Sequence, residues 1–197
     1  MTFKLGLTGS IGMGKSTTAK MFVQEGCVLW DADAAVHRLY MSGGAAVAPM
    51  SAAFPNAISD GAVSRDHLRR IIADDPDALK KIETIVHPLV VQDRNDFLAK
   101  TEADITVLDI PLLFETGSNA TMDAVVCVTA PADVQRARVL ERPNMTEAQL
   151  DAILDKQMPD VEKQKYSDYV ISTRTLEDTR RQVQAVIKDI RETRIDA

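Results

Sequence analysis

The chain has 197 residues, of which 45% are hydrophobic and 26% charged, a balance typical of one well-packed globular domain. No stretch approaches the roughly 20 apolar residues that span a bilayer, and no signal-peptide pattern opens the sequence. We therefore expect a cytoplasmic protein that binds no membrane. The net charge of -6 argues against a nucleic-acid-binding surface, which needs dense Lys and Arg, but still allows a small anionic ligand held by local positive charge.

A phosphate-loop motif dominates the sequence, because residues 9–16 match the pattern GxxxxGK[ST]. Glycines let successive backbone N–H groups converge on phosphate oxygens, while Lys15 reaches the outer phosphates and the Ser16 hydroxyl ligates Mg²⁺. A strand signal at residues 3–7 precedes the loop and a helix signal at residues 17–25 follows it, whereas a mere glycine-rich turn would need neither. The residues predicted to bind the nucleotide are Gly9, Gly12, Met13, Gly14, Lys15, Ser16 and Thr17.

Strand patterns recur along the chain and alternate with helical ones. The four further predicted strands are residues 27–30, 105–109, 124–128 and 169–171. This alternation predicts an α/β fold of the P-loop NTPase type, a parallel five-stranded sheet with helices on both faces, plus a helical insertion and a lid. Cys27 and Cys127 lie in two of the strands, which predicts buried, reduced thiols rather than a disulfide.

Two carboxylates, Asp31 and Asp33, follow the second predicted strand. If the strand continues through them, its side-chain period of two places both on one face, at the carboxyl edge where open α/β sheets bind ligands. The alternative is that Asp33 caps a helix over residues 34–40 and that Asp31 is merely solvated.

Residues 42–100 show no strand pattern, and we predict a helical, substrate-facing insertion there because the segment is too long for an ordinary crossover. The alternative is that these residues are a crossover connection between two strands, enlarged by extra helices, that contacts no ligand. Pro88 is expected to begin a new helix over residues 89–99 and to hold His87 extended, which could aim its ring at a ligand. A structural role for His87 is the interpretation that the sequence favours.

Asp109 ends the third predicted strand, where acidic residues of phosphate-loop enzymes hold Mg²⁺ directly or through water. Alternatively, it accepts backbone N–H groups in the following turn. The apolar run at residues 112–114 comes next in the chain and forms either core or an apolar wall for a ligand.

Arginines cluster in the helix that follows the fourth predicted strand. We predict a helical lid over residues 132–165, in which Arg138 and Arg142 close over the transferring phosphate, since planar guanidinium donors stabilise its charge. A solvated charged face is the alternative, and it is the interpretation we prefer for Arg136.

A phosphate loop in this fold is compatible with a small-molecule kinase, a GTPase-type switch or a noncatalytic nucleotide-binding module. The guanine-reading NKxD and the DxxG switch are both missing from the sequence, which excludes most switches. The presence of Asp33, Arg138 and Arg142 favours an enzyme over a binding module.

The ordered set of motifs resembles the dephospho-CoA kinase family over nearly the whole chain. The matching residues are Gly6-Leu7-Thr8-Gly9, Asp31-Ala32-Asp33, Asp60-Gly61, Arg65, Leu68, His87-Pro88, residues 109–115, Gln135, Arg138, Arg142 and Gln157. The resemblance implies transfer of phosphate from ATP, with Mg²⁺, to the ribose 3'-hydroxyl of dephospho-CoA, and a CoA-binding role for residues 42–100. The substrate-binding residues implied are Asp31, Asp33, Arg65, His87, Leu112 and Glu115.

In-line transfer needs a carboxylate that takes the proton of the acceptor hydroxyl, and we assign this role to Asp33. Asp31 then has a supporting role, orienting the acceptor or water around Mg²⁺. Lys15, Arg138 and Arg142 complete the expected catalytic set, and Ser16 with Asp109 the expected metal ligands. The strongest rival is a shikimate-kinase-like enzyme, because that group also combines the loop with a DxD pattern. We expect a monomer or a weak homo-oligomer.

The chain departs from the family pattern in three places. Ser10 stands where Gly is usual, and Pro143-Asn144 follow Arg142 in place of an acidic residue and a glycine. After the fifth strand the family tends to have Asn and Gly, but residues 172–175 are Ser-Thr-Arg-Thr. Stacking of Arg174 on the adenine ring is therefore a hypothesis about this chain alone.

Overall fold

The computed structural model describes residues 2–143 and 145–195. Its strands are β1 (Phe3–Thr8), β2 (Val28–Asp31), β3 (Ile58–Ser59), β4 (Ala62–Val63), β5 (Ile105–Asp109), β6 (Ala124–Thr129) and β7 (Tyr169–Ser172). Its α-helices are α1 (Lys15–Gln24), α2 (Ala32–Tyr40), α3 (Val47–Ala53), α4 (Arg65–Asp74), α5 (Ala78–Lys100), α6 (Ala132–Leu140), α7 (Glu147–Leu154), α8 (Asp160–Lys165) and α9 (Leu176–Ile190). Asp31–Lys100 form one compact unit, and the remaining residues form the other.

The predicted five-stranded parallel sheet is confirmed, with the strand order β2-β5-β1-β6-β7. The central strand, β1, pairs in parallel with both β5 and β6, and β6 pairs in parallel with β7. Because β1 is central, the loop that follows it leaves from the middle of the carboxyl edge, where open α/β sheets bind their ligands.

Helices and a long connection cover the two faces of this sheet. The alternation along β1 sends Leu5 and Leu7 into a core that α1 and α9 complete through residues such as Phe22 and Val183. On the other face α8 contacts β6, and Leu113 and Met122 of the connection between β5 and β6 pack near Gly6. The sheet is therefore buried on both sides, as parallel sheets usually are.

Both cysteines are free and buried, as the sequence predicted. Burial raises the pKa of the Cys27 thiol to about 11 and that of the Cys127 thiol to about 12. Both thiols therefore stay protonated near neutral pH and act as small apolar side chains. Among the described residues no helix has the length and apolar character needed to cross a membrane.

The unit formed by Asp31–Lys100 has a separate apolar core. Its fully buried members include Ala46, Met50, Ala57 and Ala78. Contrary to the expectation of a strandless segment, it contains the antiparallel hairpin of β3 and β4. Asp60 (φ 50°) and Gly61 (φ 75°) form its two-residue turn, and positive φ at both positions is what a type I′ hairpin turn requires.

The prediction that Pro88 begins a new helix is wrong, because α5 runs unbroken from Ala78 to Lys100 with Pro88 inside it. His87 is consequently helical and exposed rather than extended. A proline inside a helix costs about 3 kcal/mol, since it removes one backbone hydrogen bond and crowds the preceding turn. Residues on both sides of Pro88, including Val86 and Leu89, pack against the core of this unit, and that burial offsets the cost.

Candidate functional site

The phosphate loop connects β1 to α1 in the geometry that the motif requires. Gly14 is the N-cap of α1, with φ 90° and no side-chain cap bonded to the first turn. The N–H groups of that turn therefore lack an internal partner and are available to an anion, as at other helix N-termini. Ser16 and Thr17 are exposed in the same turn, so their hydroxyls are accessible to a ligand.

Two loop glycines are needed for space. A Cβ on Gly9 would lie 2.6 Å from the backbone oxygen of Val128, and one on Gly12 would lie 2.5 Å from Cγ2 of Val139. Real Cβ atoms essentially never come this close, so the loop packs tightly against β6 and α6. Ser10, where the family usually has Gly, does not have a positive φ and therefore causes no backbone strain.

Two glutamines hold the loop from opposite directions. Gln135 of α6 donates from Nε2 to the oxygen of Ile11 at 2.7 Å, and the Ile11 N–H donates to Oε1 of Gln157 at 3.2 Å. The backbone N–H and the backbone oxygen of Ile11 are thus both hydrogen-bonded to side chains of the predicted lid region. The sequence showed these glutamines only as matches to the family and gave them no role.

Lys15, the lysine of the phosphate-loop motif, is paired with Asp109 at the end of β5. Lys15 Nζ donates to Oδ1 of Asp109, whose side chain is only 4% exposed. A carboxylate so deeply buried requires a charged partner, and the ion pair holds the lysine against the carboxyl edge of the sheet. The predicted metal role of Asp109 stays a prediction.

The oxygen donors at this edge are suitable for Mg²⁺. The described residues contain no cluster of three or more His, Cys, Asp or Glu that could hold a metal alone. Mg²⁺ normally keeps several waters and binds through one or two protein oxygens plus substrate phosphates, so a protein cage is not required. The exposed Ser16 hydroxyl and the Asp109 carboxylate supply oxygens of this kind.

Asp31 and Asp33 begin the second unit in a way that differs from both sequence-based interpretations. β2 ends at Asp31, whose carboxylate accepts a hydrogen bond from the N–H of Ala34 at 2.8 Å and caps α2. Asp33 is exposed in the first turn of that helix and is not its cap. The strand stops before Asp33 because a capping Asp favours the turn into a helix, so the predicted period of two does not apply.

Two further predicted substrate-binding residues also lie in this unit. Arg65 is the exposed first residue of α4, whose N-terminus is capped by Ser64. Burial raises the pKa of the Tyr40 hydroxyl, and the positive charge of Arg65 partly offsets that effect. His87 is exposed on α5. Both side chains are accessible to a ligand.

The apolar run after β5 is divided between core and surface. Leu113 is fully buried, whereas Leu112 is exposed, and the Phe114 ring lies 6.3 Å from that of Tyr166. Core is therefore the correct interpretation for Leu113. The predicted ligand contact of Leu112 stays a prediction.

Glu115 forms an ion pair with the buried side chain of Lys163. Oε1 of Glu115 lies 2.9 Å from Nζ of Lys163, which is completely buried and also donates to the Pro111 oxygen at 3.2 Å. The same Oε1 accepts the N–H of Met158 at 2.8 Å. Burial raises the pKa of Glu115, but the bonds from Lys163 and Met158 outweigh it and hold the pKa below its ordinary value. The substrate-binding role predicted for Glu115 stays untested, and its observed contacts are structural.

The two arginines of α6 and Arg142, which follows that helix, have different environments. Arg136 forms ion pairs with Glu147 and Asp151 of α7, at 3.1 Å and 3.4 Å, and so links the two helices rather than merely facing solvent. Arg138 donates to Thr173, while Arg142 is exposed beyond the end of α6. Of the two residues that depart from the family pattern after Arg142, Pro143 is exposed, and Asn144 lies outside the described residues.

The sequence and fold match one family of kinases. The family model described as dephospho-CoA kinase matches residues 3–178. The chain belongs to this family. A dephospho-CoA kinase of Ruegeria pomeroyi is 65% identical to it over 197 residues, covering all of both chains.

Solved structures give the same result for the fold. A Thermus thermophilus protein is 33% identical, with a TM-score of 0.84 and coverage of 96% of this chain and 98% of that one. The dephospho-CoA kinase of Campylobacter jejuni is 26% identical, with a TM-score of 0.70 and coverage of 98% of each chain. A shikimate kinase of Acinetobacter baumannii, at 16% identity, covering 100% of this chain and 97% of that one with a TM-score of 0.57, shares the fold alone.

Proposed function

We propose that the protein transfers the γ-phosphoryl group of ATP to the ribose 3'-hydroxyl of dephospho-CoA, producing CoA and ADP in the last step of CoA synthesis. The observation that carries this proposal is the match of residues 3–178 to the dephospho-CoA kinase family. The intact phosphate loop supports it, because Gly14 opens α1 without a side-chain cap and leaves the N–H groups of its first turn for phosphate. ATP and dephospho-CoA are the partners proposed, and the cytoplasm is the proposed location.

The phosphate loop binds the donor in this proposal. Its backbone N–H groups receive the phosphate oxygens, and Lys15 leaves Asp109 to contact the outer phosphates as they arrive. Asp109 and Ser16 would then hold Mg²⁺, which when bound neutralises charge on the transferring phosphates. The pairing of Lys15 with Asp109 keeps the lysine at the loop before the nucleotide binds.

The acceptor is assigned to the unit formed by Asp31–Lys100, which contains the predicted insertion at residues 42–100. Arg65 and His87 are exposed there and are proposed to contact the CoA moiety. Asp33, exposed at the start of α2, is proposed to accept the proton of the ribose 3'-hydroxyl.

A panel of acceptors tests this proposal against its rival. With ATP and Mg²⁺, we expect rapid release of ADP with dephospho-CoA and only background release with shikimate, gluconate or nucleoside monophosphates, as measured in a coupled ADP assay. ADP release that prefers shikimate would favour the rival kinase. Equal background release with every acceptor would indicate a nucleotide-binding module.

Replacing the loop lysine tests the donor site. Lys15→Ala is expected to lower kcat by about 10² to 10³, the usual effect of removing one preorganised donor to the transition state. Lys20→Ala is the matched control, since Lys20 is exposed on the same helix, and it should keep wild-type kcat. If the two variants retain the same activity, the assigned role of Lys15 is wrong.

A further inference from the structure

Thr173 lies between the phosphate loop and α6, and its backbone is hydrogen-bonded to the end of the sheet. It follows β7 directly, is only 7% exposed, and donates its N–H to the oxygen of Thr129 at 2.9 Å. Because this backbone is held in place and a β-branched side chain has few χ1 rotamers, the position of the Thr173 hydroxyl is well defined.

The Thr173 hydroxyl lies between two partners with different requirements. It accepts a hydrogen bond from Nη1 of Arg138 at 2.9 Å, and it lies 2.8 Å from the oxygen of Met13. Because a guanidinium can only donate, the single hydroxyl hydrogen is free for a carbonyl, and the Met13 oxygen is closer than the Thr129 oxygen at 3.3 Å. The hydroxyl therefore links Arg138 to the loop.

Arg138 is held at a second point of the same residue. Its Nη2 donates to the backbone oxygen of Thr173 at 2.6 Å, so one guanidinium makes two bonds to Thr173. Two bonds from a planar, rigid group fix its orientation as well as its position.

The bond to Met13 sets the orientation of a loop peptide. A trans peptide is planar, so the direction of the Met13 carbonyl fixes the opposite direction of the Gly14 N–H. Gly14 also packs against Thr173, because a Cβ built on it would lie 3.0 Å from the Thr173 hydroxyl oxygen. N–H groups in this part of a phosphate loop are those that contact phosphate.

We propose that Thr173 is a positioning residue for phosphoryl transfer, which orients both Arg138 and the peptide between Met13 and Gly14. The expected effect of Thr173 on turnover rests on the proposed function. The expected effect on ATP binding does not depend on the acceptor, because Arg138 and the loop peptide, the two groups that Thr173 orients, both belong to the ATP site.

Two near-isosteric variants test the inference. Thr173→Val keeps the shape of the side chain but removes the hydroxyl, whereas Thr173→Ser keeps the hydroxyl. We expect Thr173→Val to lower kcat about tenfold and to weaken ATP binding about threefold, the effect of losing one or two hydrogen bonds. Thr173→Ser should stay within about twofold of wild type in both, and the KM for dephospho-CoA should not change in either variant.

The link to Arg138 is tested by a double-mutant cycle. In an Arg138→Ala background, Thr173→Val should lower kcat only about threefold, because the hydroxyl then orients the loop peptide alone and no longer Arg138. Equal losses in the two backgrounds would overturn the proposed link, and a Ser variant as impaired as the Val variant would overturn the role of the hydroxyl. Calorimetry measures the ATP affinity of each variant without an acceptor. If dephospho-CoA is not the acceptor, wild-type turnover will be absent, but Thr173→Val should still bind ATP more weakly than Thr173→Ser.

Discussion

Replacing Asp33 by Asn should lower kcat by about 10² to 10⁴ while leaving the affinity for ATP nearly unchanged, the range expected when a general base is removed. The amide of Asn has nearly the shape of the carboxylate but cannot accept the proton of the ribose hydroxyl. Asp33 is exposed and is not the cap of α2, so its replacement should not disturb folding. Steady-state kinetics with dephospho-CoA and an ATP titration measure the two effects separately.

Asp31→Asn is the matched control for this experiment. Asp31 caps α2 through its bond to the Ala34 N–H, and Asn is as good an N-cap as Asp. The helix should therefore remain intact, and kcat should fall much less than in Asp33→Asn. If Asp31→Asn is the more impaired of the two, the proton acceptor is Asp31 and the assignment of Asp33 is wrong.

Replacing Glu115 by Gln should lower the free energy of unfolding by about 3 to 5 kcal/mol, the usual cost of leaving a buried charged group without its partner. Lys163, which is fully buried, would then lose its carboxylate partner. Urea denaturation of the two proteins measures the difference. An unchanged free energy of unfolding combined with a higher KM for dephospho-CoA would instead support the substrate-binding role that the family resemblance implies for Glu115.

An exposed ion pair of the same region provides the control. Glu147 pairs with Arg136 at 3.1 Å, but its side chain is 66% exposed. Because exposed pairs contribute about 0 to 1 kcal/mol, Glu147→Gln should have little effect on the free energy of unfolding. A large effect there would mean that burial is not what distinguishes the two pairs.

The contribution of Glu115 also depends on pH in a defined direction. Its pKa in the folded protein lies below the ordinary value of 4.5, so the carboxylate stabilises the fold fully above that value. The stabilisation is lost as the pH falls through the lower, folded-state pKa. The stability difference between wild type and Glu115→Gln should therefore narrow below about pH 4.5, a shift that follows from linkage between protonation and folding.

The sheet and the phosphate loop could be predicted from sequence because their signals are local. Short apolar strands such as residues 105–109 alternate with helices, and the spacing of Gly9, Gly14 and Lys15 is dictated by the backbone geometry that phosphate requires. The structure confirms a strand before the loop and a helix after it, although α1 begins at Lys15, two residues before the predicted start.

The errors lie in the second unit, where competing local signals had to be weighed. Asp60-Gly61 is a strong signal for a hairpin turn, but each strand beside it has only two residues, too few to show alternation. Pro88 suggested a helix start, and only the packing of residues on both sides of it shows that α5 continues. The sequence offered Asp33 as the cap of this helix, but β2 ends at Asp31 and the helix begins one residue later, so Asp31 is the cap.

The side-chain partners within the site could not be predicted, because they join residues far apart in sequence. Thr173 lies 35 residues from Arg138, and Lys163 lies 52 residues from the Pro111 oxygen to which it donates. Neither Thr173 nor Lys163 belongs to a recognised motif. Gln135 and Gln157 were matched to the family pattern, but their common partner, Ile11, became evident only from the structure.

Identification of the product tests the central claim most directly. The protein is incubated with ATP, Mg²⁺ and dephospho-CoA, and the product is examined by mass spectrometry and ³¹P NMR. We expect one CoA for each ADP, with the new phosphomonoester on the ribose 3'-oxygen. ADP formed without CoA, or phosphate attached at another position of the acceptor, would contradict the proposed function.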